Sequence, residues 1–287
     1  MDRRSLLAGA ALGFGMPAMG AVETVSGKSR LRSALCAYSF RNDLQSKKVS
    51  YEDLVRKAVE WNIDGLDLTV YWFPSKNDDF LMPLKRLAYR NGIEIYSISI
   101  RTNFCQPSPD LQEKELVELK SWIDVAAKLG AGHIRVFGGT VPKGRTEDEA
   151  AGWVASILQR GCDYAGSKGI ILGLENHGGI TSKAERIVEI VKKVDSPWVG
   201  VNLDTGNFES DAYNQLAICL PYSVNVQVKE NIKVTKTQEK SDWARIVGML
   251  NKAGYKGYLA LEYEEKEAPE VAVPRLLAKL KQVIGQG

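Results

Sequence analysis

A (β/α)8 TIM barrel forming a single α/β domain is the fold predicted by this sequence, and three observations predict it. Eight short apolar runs recur along the chain, at 35–40, 64–69, 94–99, 133–137, 170–175, 198–204, 223–229 and 258–263. Amphipathic stretches with helix-start chemistry separate them, an alternation that calls for parallel strands joined by crossover helices. Eight such units match a closed barrel, whereas a doubly wound sheet would more often use about five or six strands.

The elements follow in order. Ser50 with Asp53, and Ser182 with Glu185, have the spacing of a capping box, and Ser241-Asp242 opens a helical stretch that closes on Gly254. Gly132, Gly200 and Gly257 stand near strand starts as turn or tight-packing positions. No G-x-G-x-x-G follows a strand and no G-x-x-x-x-G-K-[ST] occurs, so nucleotide cradling has little support.

Ahead of the first run, residues 1–20 combine Arg3-Arg4, a modest apolar stretch from Leu6 to Met16 and a small-x-small site at Ala18-Met19-Gly20. This looks like a twin-arginine export signal, with residues 21–30 as linker and 31–287 as the catalytic domain. The apolar stretch is too short to span a bilayer, and no cysteine near the cleavage site indicates a lipid anchor. A periplasmic or secreted protein is therefore expected. Cys36, Cys105, Cys162 and Cys219 lie far apart, without zinc-knuckle or redox-pair spacing. Export permits disulfides, but sequence does not pair them, and buried thiols are the expected state.

The 287 residues are 44% hydrophobic, enough for a substantial core, and a formal charge of +3 offers no footprint for a polyanion. A small-molecule partner is expected, with no nucleic acid and no stable membrane anchor; a homo-oligomer is compatible with the sequence.

Side chains alternate across a strand, so each run divides into a helix-facing set and an interior set. Val224, Val226 and Val228 leave Asn225, Gln227 and Lys229 inside; Val199, Val201 and Leu203 leave Asn202 and Asp204; Leu172 and Leu174 leave Glu175; Leu259 and Leu261 leave Glu262. The acidic members fall at the ends of strands, where barrel active sites occur. Three carboxylates facing one another unpartnered would cost several kcal/mol each, roughly, so they call for a cation. A divalent metal held by Glu175, Asp204, Glu262 and the amide oxygen of Gln227 fits, and the all-oxygen set favours Mn or Mg over Zn. A solvated ring of charges with lysine counter-ions is the plainer alternative.

The stretch G-L-E-N-H-G-G at 173–179 ends a buried run on three groups able to do chemistry, and His177 is one of two histidines in the chain. His177 is a candidate to orient substrate, and Lys229 to polarise an oxyanion. Tyr71 and Trp72, after the second strand, offer flat faces for a sugar ring, and Asn202 and Asn207 are further candidate substrate contacts. His133 begins a strand away from this end and reads as structural. Arg135 shares its face, with Asp67 among its candidate partners.

With these residues in view, the chain resembles the xylose isomerase-like barrel superfamily, in its sugar phosphate isomerase/epimerase branch, over residues 31–285. The resemblance implies one bound divalent metal, Mn first and Mg or Co next, on Glu175, Asp204, Gln227 and Glu262, with Glu175 and Glu262 as the acid/base pair. Two positions depart: Gln227-Val228-Lys229 replaces the family's His-x-Lys, and Asp204-Thr205-Gly206-Asn207 replaces Asp-x-x-His. Asn207 cannot shuttle protons. The implied reaction is isomerisation or epimerisation of a sugar through an enediolate. β-Elimination from a 3-keto-glycoside and non-catalytic sugar binding are the alternatives. The superfamily's endonucleases use three zinc ions and many histidines, which two histidines do not supply.

Overall fold

The computed structural model describes residues 30–286. The export signal expected at 1–20 and the linker up to residue 29 lie outside the described residues.

Eight parallel strands close into a barrel in the order β1-β10-β7-β6-β5-β4-β3-β2. They are β1 Leu31–Cys36, β2 Gly65–Thr69, β3 Glu94–Ser99, β4 His133–Phe137, β5 Ile171–Glu175, β6 Val199–Asp204, β7 Ser223–Val228 and β10 Gly257–Leu261. A two-stranded hairpin, β8 Asn231–Lys233 with β9 Gln238–Lys240, stands in the connection after β7. The helices of the described residues are α1 Arg41–Gln45, α2 Tyr51–Glu60, α3 Asp78–Arg90, α4 Pro109–Leu129, α5 Glu147–Ser167, α6 Ala184–Val194, α7 Ala212–Cys219, α8 Trp243–Lys252 and α9 Pro269–Val283.

Alternation builds this architecture. In β5, Leu172 and Leu174 are fully buried in the layer under the helices, while Gly173 and Glu175 turn inward. A Cβ on Gly173 would lie 2.2 Å from Nε2 of His133, so the interior at that level has room for one side chain and not two. The capping box of Ser50 and Asp53 forms as its spacing requires, and Asp242 caps α8 by accepting from the Arg245 amide at 2.9 Å.

Two expectations are corrected. The first strand ends at Cys36, because Ala37–Phe40 turn into a 3-10 helix that sends Phe40 onto Trp61. A continuous apolar run does not distinguish a strand from the buried turn after it. Ser182 does not cap α6, whose first turn follows Lys183; the Ala184 amide is satisfied instead by the Gln215 side chain at 3.0 Å. All four cysteines are free and buried. No described helix is long and apolar enough to cross a membrane.

Candidate active site

Glu175 and Asp204 are the last residues of β5 and β6, Glu262 follows β10, and Lys229 follows β7. The sequence places them at one end of the barrel, where the register pairs Glu175 with Phe137 and Asn202, and Gln227 with Asp204 and Ala260. Glu175, Lys229 and Glu262 line a pocket of about 160 Å³ with Arg135, His177 and Asn207, while Asp204 is fully buried behind Lys229.

Each carboxylate meets a cation of the chain itself. Arg135 Nε lies 2.8 Å from Glu175 Oε2, with both side chains under 5% exposed. The Arg135 guanidinium also donates to the Tyr71 hydroxyl at 3.0 Å and the Ile100 carbonyl at 3.1 Å, which holds it against the pocket wall. Lys229 Nζ sits 3.0 Å from Glu262 Oε1 and 3.4 Å from Asp204 Oδ2, and pairs with Glu264. The second oxygens are used as well. Asn207 Nδ2 donates to Glu175 Oε1 at 3.0 Å, the Gly206 amide to Asp204 Oδ1 at 2.8 Å, and the Cys36 thiol to Glu262 Oε2 at 3.1 Å.

These surroundings drive the acids apart. Burial pushes the Glu175 carboxyl well up, against the pull of Arg135. Burial also raises Asp204, to about 7, against the pull of Lys229. For Glu262 burial acts upward too, yet Lys229 and Arg135 outweigh it and leave the group below the ordinary glutamate range. The Lys229 ammonium loses by burial and gains more from Asp204, Glu262 and Glu264, so it stays charged.

The four residues expected to ligate a metal do not form a shell. Gln227 is fully buried, and its amide oxygen accepts from Asn202 Nδ2 at 2.7 Å while its Nε2 donates to Asp67 Oδ2 at 3.2 Å. Among the described residues, no group of three His, Cys, Asp or Glu side chains is arranged to hold an ion. The donor set suits a hard cation in kind, but as the side chains lie it does not fit one: Lys229 stands between two of the three carboxylates and the fourth ligand is turned away.

Other candidates divide. Tyr71 lines the pocket. Trp72 instead stacks on Tyr38, with centroids 6.1 Å apart, and faces a separate cavity beside Leu44 and Val49. Asn202 is fully buried below the pocket, bonded to Gln227 and Asn225, and so is out of a substrate's reach. The His177 ring lies 4.1 Å from the Phe137 ring at the pocket edge, with its pKa lowered by burial and by Arg135. His133 bonds to Ser97 at 2.8 Å, and burial and Arg135 push it down to about 3, a neutral interior imidazole. Sequence reading missed Arg135 as partner of Glu175, and with it Tyr38, Arg101 and Glu264 at the mouth. Alternation in H-I-R-V-F had already placed Arg135 inside; only the choice of carboxylate was open.

A closed eight-strand parallel barrel with acids and their cations at the carboxyl ends of its strands has its candidate site where barrel enzymes carry their active sites. The family model for the xylose isomerase-like TIM barrel matches residues 55–283, and the chain belongs to that family. Among solved structures, D-psicose 3-epimerase from Clostridium cellulolyticum H10, determined with D-tagatose, has a TM-score of 0.71 at 17% identity, covering 88% of this chain and 96% of its own. The 3-keto-D-glucoside 4-epimerase YcjR from E. coli has a TM-score of 0.70 at 15% identity, covering 89% and 100%. A xylose isomerase-like barrel protein from Mycobacterium smegmatis, in complex with magnesium, has a TM-score of 0.70 at 19% identity, covering 88% and 96%. No curated protein sequence matches the chain.

Proposed function

We propose that the protein is an epimerase or isomerase that moves a proton on the carbon next to the carbonyl of a sugar or keto-sugar, and that it acts outside the cytoplasm after twin-arginine export. The observation that carries this reading is the pair Glu175 and Glu262, two buried carboxyls on strands separated by β6 and β7, each against its own cation across one small pocket. Their environments push them in opposite directions, the pattern of an acid and a base working on one substrate.

In this reading the ionised Glu262 takes the carbon-bound proton, electrons move onto the carbonyl oxygen, and Glu175 returns a proton to the neighbouring position or the opposite face. Lys229 and Arg135 stabilise the enediolate oxygens, since charged donors in a site shielded from water act strongly on developing charge. Tyr71 supplies a flat wall for the ring, and His177 and Asn207 contribute polar contacts at the rim. The sugar epimerases among the structural neighbours support the substrate class.

A second reading is favoured by one observation. On the far side of Tyr71 lies a cavity of about 280 Å³ that also borders Arg101, Lys76 and Trp122. Such a space suits a substituent on the sugar, and expulsion of that substituent by the same enolate is β-elimination.

The test is incubation of the protein in deuterated water with a panel of free sugars and 3-keto-glycosides. Solvent deuterium at the carbon beside the carbonyl, in substrate or epimer, is the expected result; release of the free aglycone selects elimination, and neither signal across the panel defeats both readings.

A further inference from the structure

We infer that the place for which a divalent ion was expected is held by the Lys229 ammonium, so that the site carries its own cation and works without a metal.

Three observations converge on this. Lys229 Nζ lies between Asp204 Oδ2 and Glu262 Oε1, at 3.4 and 3.0 Å, and its side chain is only 11% exposed. The third carboxylate, Glu175, is taken up by Arg135, which the Tyr71 hydroxyl and the Ile100 carbonyl fix in place. Thus Glu175, Asp204 and Glu262 already meet two permanent charges before any ion arrives, with Glu264 as a further partner of Lys229.

The third observation concerns Gln227. Beneath the pocket a relay of polar groups runs in one direction. The Tyr96 hydroxyl donates to Asn225 Oδ1 at 3.2 Å, Asn225 Nδ2 to Asn202 Oδ1 at 2.8 Å, Asn202 Nδ2 to Gln227 Oε1 at 2.7 Å, and Gln227 Nε2 to Asp67 Oδ2 at 3.2 Å. Asp67 accepts on both oxygens, from the Ser99 hydroxyl at 2.9 Å and from Gln227, and so orients the Gln227 amide and, through it, the two asparagines. Flipping Gln227 to offer its oxygen elsewhere sets oxygen against oxygen at Asp67 and amine against amine at Asn202. Breaking this buried chain leaves polar groups unpaired, which is costly. Glutamine at this position is a structural member of the interior.

The inference rests on the proposed proton transfer only for its activity arm; the metal arm stands alone. The experiment uses the full chain purified without chelator, with metal content read by mass spectrometry and Mn2+ binding by calorimetry. The variants are Lys229→Met and the double variant Lys229→Met with Gln227→His, each checked for native circular dichroism. The wild type is expected to hold far less than one equivalent of any transition metal, to show no thermal shift with Mn2+, and to keep its deuterium exchange in excess chelator. The double variant is expected to gain Mn2+ affinity at least tenfold. Uptake of one equivalent of Mn2+ by the wild type, lost in Glu175→Gln, overturns the inference, and so does a folded double variant with no gain. Should no sugar exchange deuterium, the functional reading fails while the metal measurements still decide this one.

Discussion

Arg135 and Glu175 face each other across neighbouring strands of the barrel, Nε to Oε2 at 2.8 Å, in an interior that leaves each less than 5% exposed. Neither atom makes an aligned hydrogen bond there, so the contact is Coulombic whenever Glu175 is ionised. Removing one partner strands the other. Arg135→Met is expected to cost about 3–5 kcal/mol, read by denaturant unfolding. Arg135→Met combined with Glu175→Gln should recover a large part of that loss. A double variant no more stable than the single one would show that the pair is not coupled.

The proposed acid/base pair has a pH signature. Glu262, held low by Lys229 and Arg135 against its burial, must be ionised, and Glu175, raised by burial, must be protonated. kcat/KM should therefore fall on the acid side as Glu262 takes up a proton and on the alkaline side as Glu175 loses one. Replacing either by Gln should lower deuterium exchange by about 10²–10⁴-fold. Glu175→Gln should also abolish the alkaline limb in whatever activity remains.

Asp204 links stability to pH. Its folded pKa, about 7, lies above the unfolded value of roughly 3.9, so between these values the native state binds more protons than the unfolded chain. Stability contributed by this group is thus present at low pH and lost as pH rises through 7. Asp204→Asn keeps an oxygen for the Gly206 amide and removes the buried charge. It should raise Tm at pH 8 by a few degrees, on the order of 1–2 kcal/mol, with the gain vanishing near pH 4. Equal gains at both pH values would contradict the assignment.

Gly173 is required by its neighbour rather than by its backbone. A methyl group there meets His133 Nε2 at 2.2 Å and the Asn202 Cβ at 3.0 Å. Gly173→Ala should cost about 1–3 kcal/mol from overpacking, measured by thermal unfolding. His133→Ala in the same chain should return part of that stability, since it removes the closer obstacle.

The barrel was legible because its signal is local. Alternation within five or six residues decides which side chains face inward, and six of the eight expected strands, from β2 to β7, agree with the structure to within a residue at each end. The first run misled because Ala37–Phe40 remain apolar while leaving the sheet. Ser182 misled because α6 has its first amide satisfied by Gln215, thirty-one residues away. At the site, alternation put Glu175, Asp204, Gln227, Lys229 and Glu262 on the interior face, and all five are there. What it did not supply was rotamers. Asn202 and Gln227 point into a relay that ends on Asp67, a residue from the opposite half of the chain.

By itself, then, the sequence determined the strand count, the inward face of each strand and the end of the barrel at which acids gather, since these follow from spacing along the chain. Tertiary structure alone decided which charge answers which: Arg135 for Glu175, Lys229 for Asp204 and Glu262, and Asp67 for Gln227. The physical reason is that electrostatic pairing depends on distances of 3 to 4 Å between side chains from different strands, and closure of the barrel sets those distances.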